Sequence, residues 1–128
     1  IRLRLIKEEI HMSYVDGYII PVPTENKEKY IEQAKEMAEV FKEYGATEIW
    51  ENWADDVPEG EVTSFPMAVK CEENEVVVFS WVVWPSKEVR DKGWQEVMQD
   101  PRMNPETNPM PFDGKRLIYG GFSNVIRA

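Results

Sequence analysis

The chain has 128 residues, 42% of them hydrophobic and 30% charged, which suits one globular domain with a core of its own. The formal net charge of −9 repels nucleic-acid phosphates and therefore argues against a nucleic-acid partner. One cysteine excludes an internal disulfide and a cysteine metal cluster, and because no stretch resembles a signal peptide or a membrane span, we expect a cytoplasmic protein without a membrane partner.

Eleven residues precede Met12 at the start of the chain. An organised strand pattern follows this methionine at once, so Met12 resembles a natural start. We therefore expect residues 1–11 to be an N-terminal extension, whether a cloning remnant, translated upstream sequence or a native segment. Residues 12–128 are expected to form a single domain.

Hydrophobic periodicity predicts four strands and two helices. Residues 14–22 alternate as the first strand, and the clearest helical pattern follows, with apolar residues recurring from Tyr30 to Tyr44 and Gly45 as terminator. The remaining predictions are a strand at 47–54, an extended arm at 62–71, a buried strand at 76–84, a helix at 86–99, a proline-rich loop at 101–115 and a last strand at 116–122. The loop is too long for an ordinary connection, which is typical of a functional segment.

The strand at 76–84 is the most informative stretch, because almost all of its side chains are apolar. Successive side chains of a strand point to opposite faces of the sheet, so both faces must be covered. The two predicted helices are enough to cover one face of the sheet. The sheet of a second subunit is the expected cover for the other.

The order of elements matches β-α-β-β-α-β, the ferredoxin-like split motif. It predicts an α+β fold with a four-stranded antiparallel sheet and two helices on one face. The open sheet face then predicts a homodimer in which two sheets pack back to back as a dimeric α+β barrel.

Several segments are informative together: YVDG at 14–17, FKEYGA at 41–46, WADDVP at 53–58, VFSW at 78–81, PSKEVRD at 85–91, DPRM at 100–103 and MPFDGKR at 110–116. They are similar to the YbaA-like family of small bacterial proteins, a domain of unknown function, over about residues 12–122. The resemblance implies a ferredoxin-like fold in the dimeric α+β barrel superfamily and no established activity.

The tryptophans concentrate around the second and third predicted strands. One interpretation is that they form core and dimer contacts, since aromatic side chains dominate both. The other is an apolar ligand pocket, for which polar anchors are available in Glu51 and in the acidic, amide and tyrosine side chains nearby. The candidate ligand-binding residues are Asp16, Tyr18, Trp50, Asn52, Trp81 and Tyr119.

Charged residues offer two further candidates. Arg102, Lys115 and Arg116 predict either a turn into the last strand or an anion clamp at the mouth of a cavity. The adjacent carboxylates of Asp55 and Asp56 are typical of a solvated turn, and we expect no metal site and no cofactor.

Three functional hypotheses follow. The first is a homodimeric module that binds a small apolar or aromatic ligand. The second is a cofactor-independent enzyme of the monooxygenase or isomerase kind, with Asp16 and Asn52 as acid–base groups. The third is a structural or interaction protein without a ligand, and no catalytic residue is assigned under the first or the third.

Overall fold

The computed structural model describes residues 13–128, and the prediction of an extension at residues 1–11 lies outside that range. The chain has an α+β fold with a four-stranded antiparallel sheet and three helices. The strands are β1 (Tyr14–Pro23), β2 (Glu48–Trp53), β3 (Glu75–Trp84) and β4 (Ile118–Ser123), and the helices are α1 (Lys27–Glu43), α2 (Phe65–Ala68) and α3 (Lys87–Gln99).

The sheet has the strand order β2-β3-β1-β4, with every neighbouring pair antiparallel. The two ten-residue strands, β1 and β3, lie in the centre and pair from Tyr14 opposite Trp84 to Pro23 opposite Glu75. The shorter strands β2 and β4 form the edges. The long apolar strand foreseen at 76–84 is therefore central, where both of its sides have neighbouring strands.

The main core lies between one face of the sheet and the helices α1 and α3; we call this side of the sheet the helix face. Alternate residues of β3 contribute to it, and Val78, Val82 and Trp84 are all buried there. From α1, Val40 and Phe41 pack against Val82 and Trp84. The helical stripe and the two-residue alternation predicted for these segments are confirmed.

Local signals set the ends of both long helices. Gly45 follows α1 with φ 113°, a left-handed conformation that glycine adopts without a Cβ penalty. At the start of α3, the Ser86 hydroxyl accepts a hydrogen bond of 3.2 Å from the Val89 amide, as an N-cap should. Both ends agree with the sequence prediction.

The extended arm predicted at 62–71 is wrong, because that segment contains the short helix α2. Ser64 caps this helix by accepting a 3.1 Å hydrogen bond from the Met67 amide, and Pro66 stands in its first turn, where its missing N–H costs nothing. The Phe65 ring then packs 5.7 Å from Phe79 on the side of the sheet away from α1 and α3.

The second side of the sheet, which we call the open face, keeps much of its apolar surface accessible in a single chain. Helix α2 contacts it at Phe79 through Phe65. The exposed fractions of its large side chains are Trp50 50%, Phe79 44%, Ile118 43% and Phe122 61%. Cover by a second subunit stays a prediction.

Across residues 13–128, every helix is too short or too polar to cross a lipid bilayer.

Candidate functional site

A cavity of about 220 Å³ lies between the helix face of the sheet, the helices α1 and α3, and the loop before β4. Its wall is largely aromatic, aliphatic and thioether. An apolar cavity of about 150 Å³ is enough to bind benzene in another protein, so this space admits a small organic molecule. The aromatic and methionine side chains that line it are Tyr18, Tyr30, Met37, Phe41, Trp94, Met103, Met110 and Phe112.

The strand register delivers polar side chains to the cavity floor. Glu51 on β2 lies opposite Ser80 on β3, and Ser80 lies opposite Tyr18 on β1. Tyr18 in turn lies opposite Tyr119 on β4. These four residues, which we call the polar row, cross all four strands on the helix face, and the first three of them line the cavity.

The hydroxyl of Tyr18 is buried and has no hydrogen-bond partner among residues 13–128. Burial, followed by the nearby charge of Asp16, raises the pKa of this phenol well above its ordinary value. Tyr18 is therefore a neutral phenol at physiological pH. It presents to the cavity an O–H donor that no side chain or backbone group of the described residues accepts.

Tyr30 and Glu51 form the second polar feature. The Tyr30 hydroxyl, carried by α1, donates a hydrogen bond of 2.6 Å to Oε1 of Glu51 on β2. Glu51 keeps part of its surface accessible to solvent, yet desolvation beside the apolar wall raises the pKa of its carboxyl group, and the hydrogen bonds it accepts from Tyr30 and Ser80 offset only part of that rise. The result is a carboxyl group that protonates more readily than an ordinary surface glutamate.

The proline-rich loop closes the cavity on the side of α1. Gln33 donates hydrogen bonds of 3.1 Å to Oδ1 of Asn108 and 2.9 Å to the carbonyl of Pro109. Asn26 donates a further bond of 2.9 Å to the carbonyl of Pro111. These bonds hold Met110 and Phe112 against the cavity, which gives the loop a definite structural role.

Asp16, a predicted ligand residue, is occupied by internal contacts. It is 1% exposed and accepts hydrogen bonds of 2.9 Å from the indole N–H groups of both Trp84 and Trp94. The guanidinium of Arg90 adds a salt bridge of 2.8 Å. Asp16 does not line the cavity, and its acceptor oxygens join β1, β3 and α3.

The other predicted ligand residues divide between the two faces of the sheet. Tyr119 lies on the helix face, 71% exposed, and stacks on Tyr18 with ring centroids 6.2 Å apart. Trp50 and Trp81 stack on the open face at 5.6 Å, and Asn52 beside them donates to the Phe79 carbonyl.

Asp16 and Asn52 therefore lie on opposite faces of the sheet and do not act as one acid–base pair. Tyr30 and Ser80 were not foreseen as site residues. The two-residue alternation of β3 is enough to place Ser80 on the same face as Trp84. Its neighbours in the polar row, Glu51 and Tyr18, depend on the strand register.

The predicted anion residues are paired with carboxylates. Arg102 contacts Glu43 at 2.6 Å and Asp100 at 2.7 Å, and its hydrogen bonds hold the pKa of Asp100 well below the usual range. Arg116 contacts Glu75 at 2.6 Å, and also Asp113.

Each guanidinium is thus neutralised from within the chain. Lys115 is exposed beside Arg116. The arrangement favours the turn interpretation over the anion clamp. Among residues 13–128, His, Cys, Asp and Glu side chains do not gather into any group of three or more suited to a metal ion.

Comparison with known proteins finds matches that cover most of the chain. The family model described as "Protein of unknown function (DUF1428)" matches residues 13–114. The uncharacterized protein YbaA of Escherichia coli strain K12 is 58% identical over 115 residues, which cover 90% of this chain and 98% of that protein. The YbaA proteins of Escherichia coli O157:H7 and Shigella flexneri match with the same identity and coverage.

Proposed function

The chain belongs to the YbaA-like DUF1428 family of unknown function, and we propose that it is a module that binds a small apolar or aromatic molecule in the cavity between sheet and helices. The cavity has the size for such a ligand, and its wall is dominated by aromatic, aliphatic and methionine side chains. A few polar groups in an otherwise apolar pocket are typical of sites that orient a small molecule.

The buried hydroxyl of Tyr18 carries this proposal. A buried donor without an acceptor costs about 1–3 kcal/mol, so proteins rarely keep one without a use for it. A ligand oxygen or nitrogen in the cavity would accept its proton and remove that cost. The donor therefore marks the place where a ligand's polar atom would lie.

The test is calorimetric titration of the protein with phenol and with indole. The substitution Ala34→Phe places a ring in the cavity wall, whereas Ala68→Phe makes the same change on the exposed helix α2. We expect binding by the wild type and by Ala68→Phe, and its loss in Ala34→Phe. Equal binding by all three proteins, or by none, would contradict the proposal.

We further propose that each subunit is ferredoxin-like and that two subunits pair through their open faces as a dimeric α+β barrel. The strand order β2-β3-β1-β4 and the placement of both long helices on one face support this arrangement. The exposed aromatic surface of the open face supports it as well, since dimer interfaces are enriched in such residues. A monomer mass by light scattering at micromolar concentration would refute the pairing.

An acid–base enzyme is the second candidate function, and the pair Tyr30–Glu51 favours it. A carboxyl group whose pKa is raised by desolvation takes up and holds a proton more readily than an ordinary glutamate, which suits it to proton transfer. The expected activity is exchange of the α-protons of a ketone such as phenylacetone with solvent deuterium. Exchange at the same rate in Glu51→Gln would exclude this role.

A further inference from the structure

We infer that the cavity accepts a small organic cation, an amine on an apolar body, with Glu51 as its counter-ion; this inference rests on the proposed ligand-binding function. Among the described residues that line the cavity, Glu51 is the only carboxylic acid and none is lysine, arginine or histidine. An anionic ligand would meet one negative charge and no positive one. A cationic ligand would meet its complement.

The carboxylate of Glu51 has acceptor capacity left for a ligand. Its Oε1 atom receives the Tyr30 hydroxyl at 2.6 Å. A carboxylate offers about four lone-pair sites, so bonds from Tyr30 and Ser80 leave room for an ammonium N–H. The hydrogen-bond donors to Glu51 within the chain are neutral hydroxyls. A cationic ligand would supply the positive charge that balances the carboxylate.

Aromatic rings make the rest of the wall favourable to a cation. Tyr30 lies 5.9 Å from Phe112, and Phe41 lies 5.4 Å from Trp94, with all four rings bordering the cavity. The faces of aromatic rings attract an ammonium group within about 6 Å, most strongly where water is excluded. The same rings pack well against the apolar body of the ligand.

The size of the cavity limits that body to one ring or a short chain. Its volume of about 220 Å³ exceeds the space that holds benzene by enough for a short aminoalkyl arm. Phenethylamine has these dimensions and is a suitable probe. Its neutral analogue, 2-phenylethanol, has the same shape and keeps a hydrogen-bonding end without the charge.

Several groups face Glu51 and bear on the pH dependence of binding. They are Tyr30 from α1, Ser80 from β3, Tyr18 from β1, and Lys35 in the adjoining cleft outside the cavity. Desolvation of Glu51 beside the apolar wall raises its pKa and so favours its protonated form, which cannot serve as a counter-ion. The affinity for an amine is therefore expected to rise with pH through the pKa of Glu51.

Calorimetric titration with phenethylamine and 2-phenylethanol tests the inference. The variant Glu51→Gln keeps the shape and an acceptor for Tyr30 but removes the charge. Glu48→Gln is the matched control, because Glu48 lies on the same strand but on the open face. We expect Glu51→Gln to weaken amine binding about tenfold or more, which corresponds to about 1.4 kcal/mol, and to leave alcohol binding within about twofold.

Other outcomes separate the inference from the proposed function. If the alcohol binds, is lost in Ala34→Phe, and matches or exceeds the amine in affinity, the cavity is a ligand site but the preference for a cation is wrong. An equal loss of amine affinity in Glu48→Gln would also overturn the preference, because it would report only the overall negative charge. If neither probe binds, and phenol and indole also fail, the proposed function falls together with the inference.

Discussion

The Tyr30 hydroxyl and the Glu51 carboxylate, joined by a hydrogen bond of 2.6 Å, connect helix α1 to the edge strand β2 at the wall of the cavity. The bond keeps an acid beside an apolar wall, where an isolated carboxylate would be costly. It also orients the acid toward Ser80 and Tyr18. The polar row is thus fixed at one end by a helix and along its length by strand pairing.

The raised pKa of Glu51 predicts a pH dependence of stability. Its folded pKa lies above its unfolded value, so between the two values the native state binds more protons and stability falls as pH rises. Glutamine does not titrate. Relative to the wild type, Glu51→Gln should therefore become progressively more stable as the pH rises from the unfolded pKa of Glu51 through its folded pKa.

Urea unfolding of the wild type and of Glu51→Gln across that pH range gives the difference between their free energies of unfolding. The titrations of all other groups cancel in this difference. Glu48→Gln, a substitution on the open face of the same strand, serves as the control. A Glu51→Gln difference that is flat, or that falls with pH, would show that the folded pKa of Glu51 is not raised.

Asp16 is expected to matter for stability, since its carboxylate holds two indoles and one guanidinium. In Asp16→Asn, the two indoles and the guanidinium lose their anionic acceptor and an amide donor meets other donors, so we expect destabilisation by about 3 kcal/mol. Asp91 is the other carboxylate bound to Arg90, and its side chain is 51% exposed. Asp91→Asn should therefore cost less than about 1 kcal/mol. Similar costs for the two variants in urea unfolding would refute this assignment.

Some of this arrangement could be predicted from local pattern and some could not. The two-residue alternation of β3 and the caps at Ser86 and Gly45 act over a few residues, and they correctly predicted element type and facing. Pairing partners are not local: no periodicity shows that Glu51 lies opposite Ser80. The separation of Asp16 from Asn52 onto opposite faces follows from the same long-range register.

The helix α2 shows a different limit. Four residues are too few for a helical period to emerge, and Pro66 favoured an extended edge segment as strongly as a first helical turn. The decisive feature is the Ser64 cap, a short signal that the extended interpretation left unused. In the same way, Glu43 and Glu75, the distant partners of Arg102 and Arg116, lie far away along the chain, and only the fold brings them to these guanidinium groups.

The loop before β4 should lose its attachment when its hydrogen bonds to α1 are removed. Gln33→Ala deletes the donors to Asn108 and Pro109, so backbone amides of residues 104–117 are expected to exchange about tenfold faster with deuterium. Glu36→Ala, one turn further along α1 on an exposed position, is the control. Unchanged exchange in Gln33→Ala would mean that Met110 and Phe112, rather than these bonds, hold the loop.

The open face offers the last prediction, a change in oligomeric state. Phe122 is 61% exposed on this face, and Phe122→Glu would place a charge within the proposed sheet-to-sheet contact, where desolvation penalises it. We expect light scattering to give a dimer for the wild type and a dimer dissociation constant raised at least about tenfold in the variant.

Met98→Glu is the matched control, because Met98 is 68% exposed on α3, away from the open face. Its mass should equal that of the wild type. If both variants stay dimeric at the same concentration, the subunits pair through another surface. Since the ligand cavity lies on the helix face, the binding of phenol or indole should survive in Phe122→Glu, which separates the site from the assembly.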